Sequence, residues 1–246
     1  MHLVTSLTVA ESKRLIARGV VKSACVRHAM ENGILAVASG TTNGYIIEEL
    51  LDEPFDKKRC VTGRTLPDGY DGPKLDASSP GLVIRNGQKT VAKATDVLND
   101  MGPGDVFVKG VNALNYERQQ AGILIGHPTG GTVGAMLGTA IARRVCCLQP
   151  VGLEKSVPAD LDEVARLLNH DRQGKGPALF VFPGMIFTEI EALEVLTDVK
   201  AVPVSAGGIG GAEGAVWLAL FGDAPQLARA EEVLASVRGT PPFTQE

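Results

Sequence analysis

Aromatic residues make up only 4% of this 246-residue chain. Few rings are therefore on hand to stack against bases, and no long lysine–arginine run accompanies them, so nucleic acid is not an expected partner. Cysteine is sparse as well. The four, Cys25, Cys60, Cys146 and Cys147, show no CxxC spacing, and adjacent cysteines rarely pair. Thiols in a reducing compartment are the expectation. Cys146 and Cys147 fall on a predicted strand, one facing the core and the other a helix. The histidines at 2, 28, 127 and 170 are scattered without an HExxH, so neither a metal site nor a cofactor is expected. The GxxxxGK phosphate loop and the GxGxxG dinucleotide fingerprint are both missing. Long hydrophobic runs are missing too. The longest weakly polar stretch, residues 130–142, is glycine-rich and too short to cross a bilayer. No basic flank leads from the first residues into an apolar core, so no membrane partner and a cytoplasmic location are expected.

What the chain does have is glycine, 29 residues of it, in a background of 44% hydrophobic and 21% charged residues with a net charge of -4. That balance suits an α/β fold with many tight turns after apolar strands. Thr8 stands three residues before Glu11 and predicts a capped helix over 8–19 ended by Gly19. A second helix is expected over 23–32, a strand over 34–38 and a helix over 45–51. Short extended runs follow at 57–61 and 82–85, around a long polar loop at 62–80. Asn86-Gly87 predicts a hairpin. A short helix over 95–101 precedes strands at 106–109 and 122–125, a helix over 133–144 and a strand over 145–149. Beyond Pro150 the pattern predicts helices at 161–168, 188–197 and 224–237 and strands at 178–182 and 201–205. The expected architecture is a three-layer, Rossmann-like, mostly parallel sheet over residues 1–150. A smaller α/β lobe with a C-terminal helix is expected over 151–246.

Four places suit chemistry. Ser39, Gly40, Thr41, Thr42 and Asn43 lie between a strand and a helix, where backbone N–H groups and hydroxyls hold a phosphate or carboxylate. His127 ends a predicted strand, where α/β sheets place ligands. Thr129, Gly130, Gly131 and Thr132 form a second anion-binding turn, with the histidine able to move a proton. Lys109 also closes an apolar strand and is placed to stabilise negative charge, with Asn112 as a neutral hydrogen-bonding group. Gly207 and Gly208 open a glycine-dense stretch that either wraps a ligand or serves as a hinge, and Glu213 beside it is an acid, a base or a helix cap. The polar loop carrying Arg64, Asp68, Asp71 and Lys74 either closes over substrate or faces solvent.

At these strand ends the chain resembles the superfamily of ribose-5-phosphate isomerase, glucosamine-phosphate deaminase and coenzyme A transferase. Ser39-Gly40-Thr41-Thr42 is similar to the phosphate loop of its sugar-phosphate members. Phe107-Val108-Lys109-Gly110-Val111-Asn112-Ala113 is similar to their strand and acidic turn. Residues 130–142 and 145–150 resemble the glycine–threonine helix and strand that follow. The resemblance covers roughly residues 1–150. It implies an isomerase or lyase acting on a small phosphorylated metabolite such as a sugar phosphate. The family's catalytic aspartate belongs in the turn that here carries Asn112, which cannot act as a carboxylate base. Proton transfer would then pass to His127 or Glu117, or the protein would be a non-catalytic sensor of the same ligands. A coenzyme A thioester transferase-like enzyme and a structural component of an oligomer are the remaining readings. Apolar helix faces make a homo-oligomer plausible.

Overall fold

Apolar runs that do not alternate need cover on both faces, and the central sheet of the computed structural model is made of them. The structure describes residues 1–243 apart from positions 62, 64, 71, 73, 74, 91 and 172. Strands β2 (Ile34–Val37), β5 (Val106–Val108), β8 (Cys146–Pro150) and β10 (Met185–Phe187) run parallel. β3 (Leu82–Arg85) and β4 (Gln88–Thr90) continue the sheet antiparallel, giving the order β10-β8-β5-β2-β3-β4. Every residue of β2 and β5 is buried. The β3–β4 hairpin turns at Asn86 (φ 48°) and Gly87 (φ 77°), the conformation that this residue pair favours.

Helices flank this sheet. The predicted capping box opens α1 (Val9–Lys22): Thr8 accepts from the Glu11 N–H at 3.3 Å, and the Glu11 carboxylate accepts from the Thr8 N–H at 2.9 Å. The helix runs past Gly19, which is a packing residue and not a stop. A Cβ there would lie 2.6 Å from Ala192 on α6 (Glu189–Thr197), so glycine lets the two helices approach. α2 (Ala24–Asn32) follows, and α3 (Thr41–Leu51) starts four residues earlier than its apolar pattern suggests. Residues 57–60 form a 3-10 turn and not an extended run, because Asp56 caps the Lys58 N–H at 3.1 Å. Residues 95–101 make successive turns and no helix.

Two further sheets are antiparallel, where alternation of strands and helices suggested parallel pairing. β6 (Ala113–Asn115) and β7 (Gln120–Ile125) join through a short turn at 116–119, with Gln119 at φ 53°. β9 (Ala178–Val181) pairs with the other side of β7. So short a connection permits only antiparallel neighbours. β1 (His2–Leu7), β12 (Val216–Phe221) and β11 (Lys200–Ala206) form the third sheet, with β12 in the middle. α4 (Gly131–Ala142) carries the chain from β7 back to β8 in the central sheet. α5 (Leu161–His170) packs on β9, and α7 (Ala224–Val237) packs on α6 and α1. Each of the three sheets combines strands from both sides of residue 150, so no break in pairing falls at that boundary. Among the described residues, no helix is long and apolar enough to cross a membrane.

Candidate functional site

The four parallel strands deliver their C-terminal ends to one edge. β2 hands over to Ser39 and Gly40, β5 to Lys109 and Gly110, β8 to Val151 and Gly152, and β10 to Thr188 and Glu189. α3 begins at this edge. Its N-cap, Gly40, has no side chain to bond the first N–H groups, so no side-chain cap closes this end. Asn43 is fully buried in the first turn. Its amide donates to the carbonyl oxygens of Ala38 at 2.7 Å and Val108 at 3.4 Å, tying β2 to β5. Its Oδ1 is buried with no partner and faces Gly110. Ser39 is committed elsewhere and donates to the Ser79 carbonyl at 3.1 Å.

Three lysines gather at this edge from three elements. Lys109 follows β5, and its Nζ donates to the Gly110 carbonyl at 2.9 Å. Burial, aided by the charge of Lys155, pulls its amine down to about 8. Lys155 comes from the 3-10 turn Leu153–Lys155 after β8, and its Nζ donates to the Val111 carbonyl at 2.8 Å. Burial depresses it too, opposed by Glu154 and Glu189. Lys13 on α1 is likewise lowered by burial, with Glu154 acting against and Lys155 acting with that shift. Among the described residues, none of the three lies within ion-pair distance of a carboxylate. Glu189, the first residue of α6, has no exposed surface and accepts the Leu153 N–H. Burial, reinforced by the Glu154 charge, raises its carboxyl to about 7. Glu154 Oε2 is buried without a partner. Of this group, Lys155 lines a cavity of about 400 Å³, together with Thr41, Val61, Thr65, Asn112 and Leu124 among others.

The structure therefore brings Asn43, Lys109 and the α3 N-terminus to one edge and sets Thr41 and Asn112 in the cavity wall. Thr42 is buried in the helix turn. Asn112 Oδ1 is occupied by the Leu124 N–H at 3.1 Å. The other expected residues lie elsewhere. His127 is exposed, and its Nδ1 accepts from the Thr129 N–H at 3.2 Å, closing its own turn. Gly130 (φ 79°) and Gly131 (φ 55°) give that turn its geometry, and Thr132 follows in α4. Among the described residues, no hydrogen bond joins 127–132 to 39–43 or to the lysines. Glu117 is exposed at the tip of the β6–β7 hairpin, with β6 between it and Asn112. Glu213, Gly207 and Gly208 belong to the β11–β12 loop. There Glu213 accepts from the Gly211 N–H at 2.9 Å, and backbone N–H groups hold its carboxyl below the usual range. Gly207 accepts from Trp217 Nε1 at 3.1 Å. Asp68 sits in an exposed turn, and Arg64, Asp71 and Lys74 lie outside the described residues. Among the described residues, no three histidine, cysteine, aspartate or glutamate side chains gather as a metal site would require.

Sequence reading missed Lys13, Lys155, Glu154 and Glu189. Glu189 carried a usable signal, since Thr188-Glu189 directly follows a short apolar strand in the pattern that places a group at a sheet's C-terminal edge. Lys13 and Lys155 carried none, because nothing local distinguishes them from solvated lysines. No family model matches the chain, and no curated protein or solved structure matches it either.

Proposed function

We propose that this protein binds a small anionic metabolite at the C-terminal edge of its parallel sheet and acts on it as an isomerase or lyase, with a sugar phosphate as the model substrate. The observation that carries this reading is the trio Lys13, Lys109 and Lys155, all depressed by burial, with Lys155 lining a cavity and, among the described residues, no carboxylate within ion-pair distance of any of the three. Desolvated cations cost stability unless something neutralises them, and a phosphate or carboxylate does so. Three lysines against Glu154 and Glu189 leave an excess of one positive charge, or two when Glu189 holds its proton. The uncapped N–H groups of α3 add to that field.

In this reading the lysines hold the anionic group and stabilise the enolate-like charge that an isomerisation develops. Lys109, at about 8, and Glu189, at about 7, stand close enough to neutrality to exchange protons at working pH. The architecture belongs with three-layer, Rossmann-like folds carrying a smaller lobe. Asn112 favours a second reading, a sensor that binds without turnover, because its side chain is an amide already engaged by Leu124.

Titration calorimetry with ribose 5-phosphate, glucose 6-phosphate and their unphosphorylated sugars tests the proposal. Saturable binding of a phosphorylated sugar is expected, at least tenfold weaker in Lys155→Met and in Lys109→Met. Failure of every phosphorylated or carboxylated probe to bind at millimolar concentration overturns it. Proton exchange into the bound sugar, followed by NMR in deuterated water, separates enzyme from sensor.

A further inference from the structure

Residues 238–243 leave the end of α7 and cross to the cavity that Lys155 lines. The two ends of this strap are held differently. At its root, Arg238 pairs with Glu11 Oε2 at 3.1 Å and donates to Thr5 Oγ1 at 2.6 Å. The Gly239 N–H donates to the other Glu11 oxygen at 3.0 Å, and φ 69° at Gly239 makes the bend that redirects the chain. The Thr240 hydroxyl and N–H both return to the Val237 carbonyl, at 2.7 Å and 3.3 Å. At its tip, Pro241 and Pro242 have no N–H to give. Among the described residues, one hydrogen bond holds 241–243, from the Tyr45 hydroxyl to the Pro241 carbonyl at 3.4 Å. Tyr45 is a fixed support, buried on α3 with the Arg14 and Lys57 cations 4.9 Å and 5.0 Å from its ring centre.

Phe243, half-buried, lies where this tip ends. It lines the cavity of about 400 Å³ together with Thr41, Asn112 and Lys155. It also lines a smaller cavity of about 180 Å³ with Tyr45, Phe55 and Lys57. Among the described residues it is the one that both linings share, so its ring stands as a partition between them.

We propose that residues 241–243 are a lid on the anion cavity, shut in this structure, which swings from the Gly239–Thr240 bend to let a small anion in and out. The proposal rests on the reading of that cavity as an anion site and adds how access to it is controlled. A lid needs a firm root, a stiff arm and a tip that lets go. Glu11 supplies the root through three hydrogen bonds to Arg238 and Gly239, two of its partners being main-chain or charged donors on one carboxylate. The proline pair supplies the stiff arm, so the tip moves as a unit. One long hydrogen bond and the packing of one ring supply the tip. The cavity keeps its volume under the shut lid, within the usual range for a small ligand, so the strap covers the site without filling it. Covering it keeps water from the lysines and retains what they bind.

The test compares the full-length chain with Phe243→Ala and with a chain cut after Thr240, each checked for native circular dichroism. Brief acetylation with N-hydroxysuccinimidyl acetate at pH 8, followed by peptide mass spectrometry, should modify Lys155 about tenfold faster in both variants, while exposed Lys89 reacts alike in all three. Phosphorus NMR line shapes should show ribose 5-phosphate exchanging about tenfold faster in the variants. Lys155 acetylation at the full-length rate in both folded variants overturns the lid, whether or not the sugar phosphate binds. Faster acetylation in variants and parent that bind no anionic probe supports the lid and overturns the anion reading, so the two fail separately.

Discussion

Leu153 presents its backbone N–H to both carboxyl oxygens of Glu189, at 3.0 Å and 3.3 Å, in a site with no exposed surface. The N–H groups of Leu153 and of Glu189 itself do not offset the burial of a full charge, and the neighbouring Glu154 adds repulsion, so the carboxyl titrates near 7 against a reference of 4.5. The sign of the pH effect follows. Between these values the unfolded chain has lost the proton that the native state keeps, so native stability falls as pH rises from about 4.5 to about 7, and is flat beyond. The span corresponds to a loss of about 3 kcal/mol. Glu189→Gln keeps the acceptor and removes the titration. Urea denaturation of both proteins at pH 5 and pH 8 should show the variant gaining on the wild type by about 2–3 kcal/mol across that interval. An unchanged difference would place the Glu189 carboxyl in ordinary carboxylate territory.

Lys109 gives the opposite kind of dependence. Its amine is depressed to about 8, so the site loses positive charge as pH passes that value. Affinity for a phosphate ester should hold level below pH 8 and fall above it, by up to about tenfold per unit. In Lys109→Met the affinity should be weaker throughout, and the downward break near 8 should vanish. Calorimetry across pH 6.5–9.5 measures both. A break that persists in the variant would assign the titration to Lys155 or Lys13.

How far the sequence revealed this site depends on the range of the interactions that build it. The position of Ser39 to Asn43 at a strand end was legible because a strand-to-helix transition is local, and that of Lys109 because a cation closing an apolar run is conspicuous. The Thr8–Glu11 box, the Asn86-Gly87 turn and most helices were legible for the same reason. Lys13 and Lys155 are 142 residues apart and meet only because α1 packs over the end of β8. β1 and β12 were passed over, since each gains its identity from a partner at the far end of the chain. β7, β9 and β11 were recognised as strands but not by sheet, because an apolar run of 4–7 residues does not encode its neighbour's direction. The glycines at 130, 131, 207 and 208 looked like ligand loops. Their contacts among the described residues are those of tight turns, which use the same residues for backbone freedom.

Asn43 ties two parallel strands through one side chain, so its removal should be felt in stability as well as in binding. Asn43→Ala strands the Ala38 carbonyl in a dry site, at about 1–3 kcal/mol, while the Val108 carbonyl keeps the Ala38 N–H. Asn43→Asp should cost more, because a carboxylate would face the same two oxygens with no donor. Chemical denaturation at pH 7 ranks the three proteins. A neutral Asn43→Ala would mean that water replaces the amide.

Two helical glycines should respond with opposite signs to the same substitution. Gly19 sits at the α1–α6 crossing, where a new Cβ would meet the Ala192 Cα and Cβ at 2.6 Å and the Phe187 ring at 3.1 Å. Neither contact is the end of a flexible chain, so the helices must separate, at about 1–3 kcal/mol. Gly138 lies inside α4 with nothing within 4 Å of the added methyl and without the positive φ that favours glycine. Alanine there lowers the entropy of the unfolded chain and should stabilise by about 0.5–1 kcal/mol. Thermal denaturation of Gly19→Ala and Gly138→Ala should move the midpoint down and up respectively. A Gly19→Ala protein as stable as the wild type would show that α1 and α6 pack less closely than their axes here require.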